Sequence, residues 1–289
     1  MENLNDDRIF PASEPTPLAL LRSGGNNRSG PRVLALHGWL DNALSFAPMH
    51  GLLDGLELVC LDFPGHGQSP PRPASVRYHF DDYVFDVLAT ADALGWDRFH
   101  LLGHSLGGAV ASVLAAACPE RIQSLSVIEG LGPLSAPPDQ TARGWRKAID
   151  ASRERPRRMH AERSAAIDAR VRGSDLPREA AELLAERGLV QADGGWHWRH
   201  DQRLTWPSTQ RYTEPQVLDL LAHIEAPTLC VLAEPRSRVV PEGLMERRAA
   251  AVAGLQVHQV AGGHHVHMQQ PGIIGELIQN HISSHEPPA

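Results

Sequence analysis

Lysine is almost missing from this chain: of 27 basic residues, only Lys147 is not arginine. With a net charge of −7 and no basic tail or stripe, the composition gives nucleic acid no footing. Cysteine is equally sparse. Cys60, Cys118 and Cys230 stand far apart, as small buried hydrophobes of a reducing compartment do, and they form no disulfide frame. No apolar run approaches the roughly 18 to 20 residues a membrane span needs. The opening "MENLNDDRIFPASEP" lacks the basic start and apolar centre of a secretory signal. The expectation is a cytoplasmic protein that meets a small molecule, with no membrane and no nucleic acid. Internal repeats are absent too.

What is present is an alternation. Short apolar runs at 33–36, 56–62, 99–103, 125–129, 227–233 and 255–260 read as strands. Between them, 81–95, 106–117, 214–223, 242–251 and 272–283 carry amphipathic helical spacing. Strands separated by helix-length segments imply parallel pairing and right-handed crossovers, hence a doubly wound α/β sheet covered on both faces. The interval 134–213 breaks the rhythm. It shows no clear strand, several short helices, 15 of the 27 basic residues, and Trp145, Trp196, Trp198 and Trp206. So long an insertion predicts a helical cap over a core made of 1–133 and 214–289. The small excess of arginine over acid there reads as a solvated, ion-paired surface.

"LLGHSLGGAV" (101–110) is the most informative stretch. An apolar strand ends at Gly103, a helix opens at Gly107, and Ser105 is caught between them in the pattern G-x-S-x-G. A sharp strand-to-helix turn holds such a serine in a strained conformation and lifts its hydroxyl clear of the sheet. Gly103 and Gly107 fall where side chains would collide. The Leu106 N–H, at the start of the new helix, is suited to a developing oxyanion.

Together "LHGWLDNALSF" (36–46), "LDFPGHGQS" (61–69) and "GHSLGG" (103–108) resemble the α/β-hydrolase fold superfamily, and within it the serine hydrolase-like branch, over about residues 31–283. The resemblance implies that Trp39 gives the second oxyanion N–H, and that "DFPGHGQS" is a structural brace in which Asp62 and Ser69 carry no chemistry. It also implies a catalytic histidine in "AGGHHVHMQQP" (261–271). The family pattern favours His264 as general base; a differently set loop would use His265 or His267. The H-H-x-H spacing matches no recognised metal site, and no metal or organic cofactor is expected.

In this superfamily the acid usually follows the strand after the cap, in a loop G-x-x-D. Here that loop reads "LAEPRSRVVP" (232–241) and holds no Asp, only Glu234 directly off the strand. Glu129 offers another answer. It ends an otherwise apolar strand 24 positions after Ser105, where a lone carboxylate would cost several kcal/mol to desolvate without a partner. A subset of haloalkane dehalogenases carry a catalytic Glu at this point of the fold. Glu129 is therefore the expected acid and Glu234 the alternative. A serine nucleophile argues against dehalogenase and epoxide hydrolase chemistry, which needs Asp to form its ester. Carboxylic ester hydrolysis through an acyl-enzyme is the leading expectation. Carbon–carbon bond hydrolysis, acyl transfer, or a receptor that binds without turnover are the alternatives.

Overall fold

All six apolar runs lie side by side in one sheet. The computed structural model describes residues 4–11, 17–23, 30–153, 157–174, 176–235 and 243–286. Its eight-stranded sheet contains β1 (Leu4–Ile9), β2 (Leu18–Ser23), β3 (Arg32–Leu36), β4 (Glu57–Leu61), β5 (Phe99–His104), β6 (Ile122–Ile128), β9 (Thr228–Glu234) and β10 (Gln256–Ala261). The order is β1-β2-β4-β3-β5-β6-β9-β10. From β4 to β10 every neighbouring pair is parallel, and β1 and β2 add antiparallel at one edge.

Side-chain alternation along each strand splits the core into two layers. Leu34, Leu36, Leu101, Leu125 and Val127 meet α1 (Phe80–Ala93), α2 (Leu106–Ala117) and α6 (Glu214–Ala222) on one face. Val33, Ala35, Leu102, Ile128 and Val231 meet the short helical segment Ala43–Leu52 and α9 (Pro271–Ser283) on the other. Both faces being covered explains why these strands read as continuous apolar runs rather than as alternating ones.

The segment 134–213 departs from expectation. It does carry α3 (Thr141–Ala151), α4 (Arg163–Gly173) and α5 (Arg178–Gly188), but also a hairpin of β7 (Leu189–Ala192) and β8 (Gly195–Trp198). Each strand has only four residues, too few to set up a legible period. Trp196 and Trp198 pack against Ala166, Ile167, Ala181 and Leu184, so the segment has a small core of its own. Strands β1 and β2 are not among the six expected runs, although Leu18–Leu21 of β2 is apolar and buried. β1, "LNDDRI", is largely exposed and polar, as an edge strand is. Helix α7 (Leu244–Ala251) matches the expected 242–251, although residue 242 falls outside the described residues, and the single turn α8 (Val266–Gln269) follows His265. No helix among the described residues is long and apolar enough to cross a membrane.

Because β3, β5, β6, β9 and β10 are parallel, the turns that follow them converge on one edge of the sheet. Those turns hold Trp39, Ser105, Glu129 and His264, and Glu234 is the last residue of β9.

Candidate active site

Ser105 separates β5 from α2 at φ 49° and ψ −110°, a conformation that costs a residue with a Cβ about 1–3 kcal/mol. The surroundings force the turn to be this tight. A Cβ on Gly103 would lie 2.5 Å from the Gly107 carbonyl, and one on Gly107 would lie 1.9 Å from the Leu36 oxygen. The Ser105 N–H donates to Ile128 O at 2.9 Å, and the Gly107 N–H donates to His37 O at 3.1 Å. The serine turn is thus stitched both to β6 and to the loop that carries Trp39.

Glu129 follows β6 directly, also in the left-handed region at φ 55°. Its N–H donates to Val231 O at 2.9 Å, and the Ala233 N–H donates to its Oε1 at 2.7 Å. Its Oε2 lies 3.2 Å from His264 Nδ1, and His264 Nε2 lies 2.9 Å from Ser105 Oγ. A carboxylate only accepts, so Nδ1 carries the hydrogen, and Nε2 is left to accept from the serine hydroxyl. The carboxylate of Glu129 is buried and both its oxygens are taken up. That removes the desolvation problem the sequence posed.

The structure therefore brings Ser105, His264 and Glu129 into one chain of hydrogen bonds. It does not bring Glu234 there. Glu234 ends β9 exposed, and its backbone carbonyl accepts from the Gly262 N–H at 3.0 Å. It leaves the strand too early, and the rest of its loop, 236–241, lies outside the described residues. Nor do the other two histidines meet the serine. His265 Nε2 donates to Asp41 Oδ2 at 3.1 Å, and His267 Nε2 sits 2.7 Å from Ser45 Oγ. Burial pushes His267 down to about 3, which keeps it neutral.

Trp39 and Leu106 hold the positions expected of them, in the turn after β3 and at the first residue of α2. Among the described residues neither backbone N–H is engaged by an acceptor. The Trp39 ring is half-exposed, and its Nε1 donates to Leu204 O at 2.9 Å, joining the turn to the inserted segment. Of the tryptophans in 134–213, Trp196 and Trp198 serve the segment's own core, and Trp206 lies under Arg77.

"DFPGHGQS" is a brace. The Asp62 carboxylate accepts from the N–H groups of Ala43 and Gln68 and from Arg187 Nε, at 2.7, 2.8 and 2.7 Å. Ser69 Oγ donates to the Asp62 carbonyl at 2.6 Å and accepts from the Ala19 N–H at 2.8 Å.

Sequence reasoning missed a second network. Arg170 Nη2, on α4, donates to Asp41 Oδ1 at 2.7 Å, while His265 holds Oδ2. His104 Nε2 donates to the His264 carbonyl at 2.9 Å, and its buried Nδ1 faces Asp41 Oδ2 at 3.7 Å. Burial works to raise the Asp41 carboxyl, yet His265 and Arg170 hold it well below the usual carboxylate range. Burial also lowers His104 well below the usual histidine value, with His267 and His265 adding to it. Asp41, His104 and His265 place ligand-type atoms within 4.8 Å of one another. With a guanidinium and an imidazole N–H already on the carboxylate, the trio reads as a hydrogen-bonded joint rather than a cation site. The clues were present in "GHSLGG" and "HGWLDN", but residues 41, 170 and 265 have no local pattern that pairs them.

A model of the alpha/beta hydrolase fold family matches residues 31–271. The chain is 30% identical to a serine hydrolase-like protein of Danio rerio, over 89% of this chain and 83% of that one. It is 29% identical to serine hydrolase-like protein 2 of Homo sapiens, over 88% and 87% of the two chains. Among solved structures, the hypothetical protein PA1622 of Pseudomonas aeruginosa PAO1 superposes with a TM-score of 0.87 at 38% identity, covering 96% of this chain and 98% of that one. With the fold, the serine turn and these likenesses in agreement, the chain belongs to the alpha/beta hydrolase fold family, in its serine hydrolase-like branch.

Proposed function

We propose that this chain hydrolyses a carboxylic ester through an acyl-enzyme on Ser105. The observation that carries the reading is the unbroken chain from Ser105 Oγ through His264 to Glu129, 2.9 and 3.2 Å per link. Ser105 Oγ adds to the ester carbonyl as its proton passes to His264 Nε2. Glu129 steadies the imidazolium that forms, and the N–H groups of Trp39 and Leu106 receive the oxyanion. Collapse of the tetrahedral intermediate expels the alkoxide, which takes the proton back from His264. Water then adds to the acyl-enzyme with His264 again as base, releasing the acid and restoring Ser105. Residues 134–213 act as the cap that sizes the acyl site, and its ties to the core at Trp39, Asn42 and Asp62 support that role.

The test is a p-nitrophenyl ester series from acetate to decanoate, with Ser105→Ala as the blank and fluorophosphonate labelling in parallel. In the labelling step Ser105 Oγ bonds phosphorus, fluoride leaves, and the proton goes to His264. Turnover and labelling that vanish in Ser105→Ala are expected, and the chain-length optimum then sizes the pocket. Labelling without turnover on any ester keeps the activated serine and moves the substrate to another acyl class. Absence of both would make the chain a non-catalytic binder.

A further inference from the structure

We infer that Asp41 is a positioning residue that makes the competence of His264 depend on the seating of the inserted segment; the inference rests on the proposed reaction. At its carboxylate three parts of the molecule meet. Arg170 reaches it from α4 in the insertion at 2.7 Å, with its guanidinium also 5.9 Å from the centre of the Trp198 ring. His265, the neighbour of His264 in the chain, reaches it at 3.1 Å. The residue itself closes the turn after β3, where its N–H donates to Gly38 O at 3.1 Å, two positions past Trp39. The preceding residue, Leu40, is held at φ 63°, so the turn is strained and something must hold it.

The joint is dry. Asp41 is 2% exposed, His104 is fully buried and His265 is 5% exposed. A charge-assisted bond in such a place has direction and strength that it lacks in water. His104 completes the frame by donating to the His264 carbonyl, so the backbone that presents the imidazole is fixed on the same cluster. When α4 is in place, Arg170 balances Asp41, and Asp41 in turn holds the turn of Trp39 and the loop of His264. When α4 lifts, the buried carboxylate loses its cation, and both catalytic loops lose their anchor.

The test uses the full chain, with Ser105 fluorophosphonate labelling, p-nitrophenyl acetate kinetics and hydrogen–deuterium exchange. Arg170→Met should lower kcat and the labelling rate by about ten-fold or more with KM within about two-fold, since a small misplacement of a catalytic group has effects of that size. Asp41→Ala should do the same, and the double variant should lose no more than either single one, as coupled residues do. Arg170→Lys, which restores a cation, should recover most of the rate. A rise in KM alone would make Arg170 a substrate contact and overturn the inference, as would multiplicative losses in the double variant. Exchange separates this from a failure of the proposed reaction, because it needs no substrate. Arg170→Met should speed exchange in 36–42 and in 262–268, with α2 unchanged as the control for folding. Faster exchange confined to 163–200 would sink the inference whatever the enzyme turns over.

Discussion

At the scale of single residues, the sequence exposes chemistry where a side chain violates its local pattern. Ser105 is legible because glycines crowd it, and Glu129 because a carboxylate closes an apolar strand. Asp41 and Arg170 break no pattern, so their pairing waits for the fold. Ser124, His100 and Glu286 also form a serine–histidine–glutamate chain, with both links at 2.7 Å. But Ser124 and His100 are fully buried within the sheet, and no helix starts beside that serine to offer it N–H donors. The assignment of the acid is tested by comparing Glu129→Gln with Glu234→Gln. The first should lower kcat by about 10³–10⁴-fold, as a wrong histidine tautomer does, while the second should stay within about two-fold of the parent. The reverse ranking would move the acid to Glu234, and labelling that survives Ser105→Ala would reopen Ser124.

At the scale of elements, parallel strands hidden on both faces announce themselves, whereas short or edge strands do not. β3 to β6 and β9 are apolar because two helical layers cover them, and the runs predict their positions closely. β1 is exposed, and β7 and β8 are too short for a period, so nothing in the chain marks them. The strand-to-helix turn at Ser105 makes an element-scale prediction. Gly107→Ala places a methyl 1.9 Å from the Leu36 carbonyl, a backbone atom that cannot swing away. Forcing α2 off β3 should destabilise the fold by about 1–3 kcal/mol. The measurement is the urea midpoint, read at an unchanged slope. A midpoint equal to the parent's would mean that the turn has room the packing denies.

At the scale of the whole molecule, buried neutral histidines are the dominant electrostatic feature. Burial lowers His37, His66 and His104, takes His267 to about 3, and takes His50, His200 and His281 to about 4. In the unfolded chain each titrates near 6.5. Between pH 6.5 and about 4 the unfolded state therefore binds protons that the folded state refuses, and stability falls as pH falls. Each fully buried histidine contributes up to about 1.4 kcal/mol per pH unit to that slope, and half-exposed ones contribute less. Urea midpoints at pH 8, 6.5, 5.5 and 4.5 should already begin to fall between the first two, because the unfolded imidazoles are half protonated at 6.5, and should drop steeply after them. A midpoint that held steady down to pH 4.5 would show that these imidazoles are protonated in the folded protein.

The placement of Glu129 has an evolutionary corollary. Ser105 and Glu129, the nucleophile and acid of the proposed reaction, leave adjacent strands, β5 and β6, 24 positions apart, and both precede the 134–213 excursion. Lengthening, shortening or replacing that excursion cannot separate them; only the return of His264 is at stake. If the proposed reaction holds, the lineage can trial new acyl pockets by recombination or insertion while two of the three triad groups travel together as one inherited block.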